Sequence, residues 1–252
     1  MNWETYEKEV YDFLPNEAKI KVQTDPENAV FCRDGIIDES VFGKAQLKGS
    51  PFRPLYILKE FHDEGGCTNC EELLNGCKSH GINEATGLHW IDISKCNLCY
   101  RKKERTTKRL LYIAKTLEDV LGVNSNKEED ILNRVAIINL KKMSGGSSIG
   151  TEKSVSTLDF SCHAQKFKHE LKAQIEGIQP TIIVCGSTCD DVLKILDNPE
   201  EIDTHNDPCK LYKASLLGKD IYVLGMYHPN QSRVSDEVLK ELINSVCEKI
   251  KN

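Results

Sequence analysis

Four short apolar runs constrain this chain more than any other feature. They cover 54–60, 134–140, 181–185 and a stretch opening at 221, which breaks at Gly225 and ends in His228-Pro229. Runs this short, rich in Ile, Val, Leu and Tyr, are how strands buried on both faces read. Segments with helical spacing separate them. Leu110, Leu111, Ile113, Ala114, Leu117, Val120 and Leu121 make one apolar stripe within 101–121, and Gly122 is a natural stop. Residues 160–177 read as a second helix, and Gly186 turns into a third, capped by Ser187 or Thr188. The last starts at Ser235 as N-cap, with Asp236 and Glu237 in its first turn. Strands spaced by helices pair in parallel through right-handed crossovers. The expected fold is α/β, a three-layer sandwich with a central four-stranded parallel sheet. A short amphipathic helix at 3–13, stopped by Pro15, precedes it. Residues 15–52 read as irregular and 198–210 as a polar loop. The chain is expected to be a single domain, 1–252, with a cysteine-rich insertion at about 67–100.

Parallel strands deliver their carboxyl ends to one rim, the ligand-binding edge of an open α/β sheet. The first run delivers Glu60, His62 and Asp63. The second delivers Asn139, Lys141 and Lys142, the third Cys185, Gly186 and Ser187, and the fourth His228 and Asn230. Pro229 cannot continue a ladder and biases His228 toward an extended backbone. Carboxylates, an amide and an imidazole on one rim suit reading a flat heterocycle and moving a proton. Asn139 interrupts an apolar strand, so it needs hydrogen-bond partners if buried.

A net charge of -6 argues against a general polyanion-binding surface. Local basic groups remain. Lys141 and Lys142 flank a small-residue loop, Ser144 to Gly150, whose backbone amides suit a phosphate, with Ser147 and Ser148 in it. The run from Arg101 to Arg109 is the most basic stretch and would add salt-dependent affinity for a nucleic-acid backbone. No apolar run approaches a membrane span, and the acidic N-terminus lacks a signal-peptide core. The expectation is a cytoplasmic monomer with no membrane partner.

Eleven cysteines without a signal peptide read as thiols or metal ligands. Cys67 and Cys70, with Cys96 and Cys99, form two C-x-x-C pairs. Each pair presents two thiolates from a tight turn, and together they suit a tetrahedral metal, zinc first. Cys77 is a fifth candidate. Cys32, Cys162, Cys185, Cys189, Cys209 and Cys247 read as ordinary thiols, and nothing points to an organic cofactor.

The order of these motifs resembles the uracil-DNA glycosylase superfamily. The family's first motif follows a strand, as Lys59-Glu-Phe-His-Asp63 follows Leu55-Tyr-Ile-Leu. Its second is a strand ending in an asparagine that reads the base, here Ile137-Ile-Asn139. Its last is His-Pro-Ser, here His228-Pro-Asn230. The resemblance covers 54–250 and implies a uracil-DNA glycosylase-like fold. It also implies a DNA glycosylase that hydrolyses the N-glycosidic bond of a flipped-out damaged or modified base, in repair or in defence against phage with modified DNA. Phe61 falls where the family usually carries its water-orienting Asp or Asn. Glu60 aligns with the glutamate of the iron–sulfur-containing members. Glu60 or Asp63 then handles water, and His228 stabilises the departing base. Phe61, Asn139 and Lys59 contact the base, while Asn230, Gln231, Ser232 and Arg233 occupy the family's DNA wedge loop. An iron–sulfur cluster is the alternative to zinc.

Two other classes compete. One is a non-catalytic, metal-containing nucleic-acid-binding module, which Phe61 favours. The other is a phosphate-handling small-molecule enzyme using Ser144 to Gly150, although a Walker lysine-plus-serine pattern is missing.

Overall fold

Leu55 and Ile57 leave the central strand on one face, and Tyr56 and Leu58 leave it on the other; all four are buried. That double burial organises the molecule. The computed structural model describes residues 2–14, 16, 19, 34–62, 105–124, 131–145, 160–203, 209–229 and 234–251. The strands are β1 (Gly35–Ile36), β2 (Gln46–Leu47), β3 (Ser50–Pro51), β4 (Pro54–His62), β5 (Ala136–Gly145), β6 (Ile182–Gly186), β7 (Asp197–Asp203), β8 (Lys210–Leu216) and β9 (Lys219–Met226). The helices are α1 (Trp3–Phe13), α2 (Arg105–Leu121), α3 (Phe160–Lys166), α4 (Lys168–Ile178), α5 (Cys189–Ile195) and α6 (Asp236–Lys251).

The main sheet has seven strands among the described residues, in the order β1-β5-β4-β6-β9-β8-β7. β5, β4, β6 and β9 are parallel, and β1, β8 and β7 are antiparallel additions at the flanks. One face packs on α2 and α6 through Leu110, Ile113, Leu117, Ile243 and Val246. The other packs on α3, α4 and α5 through Ala164, Leu171, Ile175, Val192 and Ile195. The fold is therefore α/β, a mostly parallel sheet between two helical layers. Arg134, buried just before β5, makes a two-pronged pair with Glu118 of α2 at 2.7 and 3.1 Å, which ties that helix to the sheet.

Four expectations need correction. The sheet is mixed, not purely four-stranded and parallel. Residues 197–203 are a strand at the sheet edge, and β8 joins β9 through a two-residue turn. In that turn Leu217 and Gly218 both have positive φ, 52° and 73°, the geometry that matches the twist of a hairpin. The helix expected over 160–177 is two helices, broken at Phe167, whose buried ring packs on Tyr6 and Phe13 of α1. The Thr188 side chain does not cap α5. Its hydroxyl instead donates to the Ile57 carbonyl at 2.8 Å. Ser235 does cap α6, accepting the Val238 N–H at 3.3 Å.

Candidate functional site

Gly186, Ser187 and Thr188 clasp the carboxyl ends of β6 and β9 to the middle of β4, at Ile57 and Leu58. A Cβ built on Gly186 would lie 3.0 Å from both Leu58 Cδ2 and Pro229 Cδ, and 3.6 Å from the His228 backbone. Only a residue without a side chain lets β4 and the segment after β9 close over β6 this way. Ser187 sits in the left-handed region at φ 59°. There its N–H donates to the Met226 carbonyl at 2.8 Å and its Oγ accepts the His228 N–H at 2.9 Å. His228 is thus positioned through its backbone, half-buried.

Beside it is a shallow cleft of about 290 Å³, counting space open to solvent, lined among others by Arg109, Cys209, Tyr227, His228, Pro229 and Val234. Arg109 reaches it from α2. Its guanidinium donates to the Val234 carbonyl and pairs with Asp236 at 3.1 Å. Tyr112, one turn further on, donates to the Asp236 carbonyl at 2.8 Å. Tyr227 is an exposed ring next to His228.

Asn139 belongs to a different cluster. It pairs with Leu58 in the β4–β5 ladder and is fully buried. Its backbone N–H and its Nδ2 both donate to Asp34 Oδ2, at 2.6 and 3.0 Å. Lys142 Nζ bonds Asp34 Oδ1 at 2.5 Å, with both side chains wholly buried. Gln174 of α4 donates to the Asp34 carbonyl and carboxylate at 2.8 and 3.0 Å. A carboxylate only accepts, so Asp34 fixes which way round the Asn139 amide lies. Oδ1 is left without a donor among the described residues, as is Gln174 Oε1.

His163 of α3 adjoins this cluster. Its Nδ1 bonds the Leu140 carbonyl at 3.1 Å, which makes Nδ1 the protonated nitrogen, and the buried Nε2 lacks a partner among the described residues. Burial, above all, pushes its pKa down to about 3; the Leu140 bond works against that, and the charges of Lys142 and Lys141 add to it.

The site residues expected from the sequence divide as follows. Asn139 lies within β5, in register with Leu58 of β4, and His228 follows the end of β9, with β4 and β6 between those two strands. Asn139 does not line the cleft at His228. Lys59, half-buried, with Glu60 and Phe61, continues β4 past Leu58. The backbone of Glu60 and Phe61 is described but not their side chains. The placing of Lys141 and Lys142 as open phosphate contacts is corrected: both are buried, and Lys142 is spent on Asp34. Asp63, Ser147, Ser148, Asn230, Gln231, Ser232 and Arg233 lie outside the described residues, as do Cys67, Cys70, Cys77, Cys96 and Cys99. Among the described residues no three His, Cys, Asp or Glu side chains come together in a way that would hold a metal. No helix among them is long and apolar enough to cross a membrane.

Sequence reasoning passed over Asp34, Gln174, His163 and Tyr227, and read Arg109 only as part of a basic run, whereas its guanidinium is engaged by Val234 and Asp236. A signal for Asp34 was present: two lysines in register with an apolar strand need a buried carboxylate nearby. No family model matches this chain, and neither does any curated protein or solved structure searched.

Proposed function

We propose that this chain is a DNA glycosylase acting on a flipped-out damaged or modified base. One observation supports the reading most. Asn139 lies inside the core strand β5 with a buried Oδ1 that lacks a donor among the described residues, two strands away from the β6–β9 pair whose end leads to His228. An orphaned buried acceptor costs about 1–3 kcal/mol, and the N–H of a nucleobase edge would satisfy it. In this reading His228 donates to the departing base, where a hydrogen bond is worth most in a dry site. Glu60 or Asp63 orients water and steadies the positive charge growing on the sugar. Phe61 stacks on the base and Lys59 borders it. Ser147, Ser148, Asn230, Gln231, Ser232 and Arg233 meet the DNA. Zinc on Cys67, Cys70, Cys96 and Cys99, with Cys77 in reserve, belongs to the same reading, and an iron–sulfur cluster is the alternative.

The non-catalytic nucleic-acid-binding module is the second reading, and the spacing of Asn139 and His228 favours it. Three strand intervals, about 14 Å, separate Asn139 from the end of β9. Incubating the protein with duplexes carrying different modified bases, then cleaving abasic sites with hot alkali, separates the two. Strand cleavage lost in Asn139→Ala and His228→Ala supports the glycosylase. Binding without cleavage on every duplex rejects it in favour of the module. Metal analysis of protein purified without added metal decides between zinc and iron.

A further inference from the structure

We propose that Cys185 and Cys189 are a paired oxidation site, closing to a disulfide when the protein meets a hydroperoxide. The pair stands on geometry independent of the glycosylase reading. Cys185, in β6, is buried on the same face as Ile183. Cys189 opens α5 and is half-buried. The ladder sets Cys185 beside Gly225 of β9. A Cβ built on Gly225 would lie 2.9 Å from Cys189 Sγ and 3.1 Å from Cys189 Cβ. The Cys189 thiol therefore fills the slot that a side chain on Gly225 would take, next to Cys185 across the ladder. Both thiols are free.

The asymmetry of burial orders the chemistry. Cys189, the more accessible thiol, attacks the peroxide oxygen as its thiolate. The O–O bond breaks, Cys189 becomes a sulfenic acid, and the other oxygen leaves as water or alcohol. Cys185 then attacks the sulfenic sulfur. The S–S bond forms, and the hydroxyl leaves with the Cys185 proton as water. The two sulfurs together lose two electrons and the peroxide gains two. Burial pushes the Cys185 thiol pKa well up, which leaves the first step to Cys189. A thiol such as glutathione reverses the bridge by exchange. The bridge would span Gly186, Ser187 and Thr188, the residues that clasp His228 and β4. Oxidation thus acts on the rim without touching a rim side chain.

Peptide mapping of the full chain tests this. Trypsin releases 173–194 with both cysteines and no other. After hydrogen peroxide, alkylation in denaturant and digestion, that peptide should be lighter than the dithiol by two hydrogens and should lose both alkylation sites. Dithiothreitol before alkylation should restore both. In Cys189→Ser, Cys185 should stay alkylatable after the same exposure. The proposal is overturned if the peptide keeps both alkylation sites under peroxide that fully oxidises added glutathione. It is equally overturned if Cys189 is recovered as a sulfinic acid or joined to a cysteine elsewhere in the chain.

Discussion

Asp34 and Asn139 are joined twice by one oxygen: Asp34 Oδ2 accepts the Asn139 backbone N–H at 2.6 Å and its side-chain N–H at 3.0 Å. The other carboxylate oxygen holds Lys142, so a single aspartate accepts from the amide nitrogen and the cation of the same strand. Removing one partner of a buried ion pair leaves the other charge uncompensated, at about 3–5 kcal/mol. Asp34→Ala should lose about that much stability in urea unfolding. Asp34→Asn keeps an acceptor for Asn139 and should lose less. A double-mutant cycle with Lys142→Met should return a coupling energy well above zero. Additivity of the two changes would contradict the pairing.

His163 gives an acid-side signature. Its folded pKa of about 3 lies below the ordinary value of 6.5. Between those two pH values the unfolded chain binds a proton that the folded chain refuses. Stability should therefore fall as pH drops from 6.5 toward 3, by about 1.4 kcal/mol per pH unit from this group alone. Above 6.5 both states are neutral and the contribution is flat. Urea titrations from pH 7 to pH 4 should show a shallower fall in His163→Phe than in the wild type. Equal slopes would mean the ring is protonated in the fold.

Gly186→Ala would press a methyl group against Leu58 and the Pro229 ring, each at 3.0 Å. Leu58 can turn its methyl aside, but the proline ring cannot. The expected cost is about 1–3 kcal/mol of stability. Proton NMR of His228 should shift as the end of β9 is pushed off β6. An unshifted His228 resonance with unchanged stability would show that the approach is looser than the distances imply.

Arg109 holds the far side of the His228 cleft. Arg109→Met removes the donor to the Val234 carbonyl and the pair with Asp236, which is half-exposed. The loss should be about 1–2 kcal/mol, with most of it from the carbonyl bond because solvent screens the exposed partner. Amide exchange at the start of α6 should quicken. Exchange unchanged there would assign Arg109 no part in holding Val234.

The four parallel strands were legible because each is buried on both faces, so apolar runs mark them whatever the turns do. β7 and β8 were not. β7 is mostly polar and so imitates a loop. The β8–β9 turn places Leu217 at positive φ, which no turn-favouring residue announces. His228 was legible as the polar residue after a core strand, whereas Asn139, read as a strand end, sits inside β5, which continues to Gly145. The need for a buried carboxylate was legible from Lys141 and Lys142, but that Asp34 supplies it was not, because the contact spans 105 residues of chain. Thr188 misled in the same way: its hydroxyl prefers the carbonyl of Ile57, 131 residues distant, to the local cap. Local sequence carries propensity, while the choice between equivalent acceptors is made by packing.

β7, with the sequence Asp197-Asn-Pro-Glu-Glu-Ile-Asp203, borders the sheet on the side away from Asn139. A foreign strand laid along it would have to crowd against the carboxylates of Asp197, Glu200 and Glu201 and find no N–H at Pro199. Fibril-like stacking of one molecule on the next is thereby discouraged at this border.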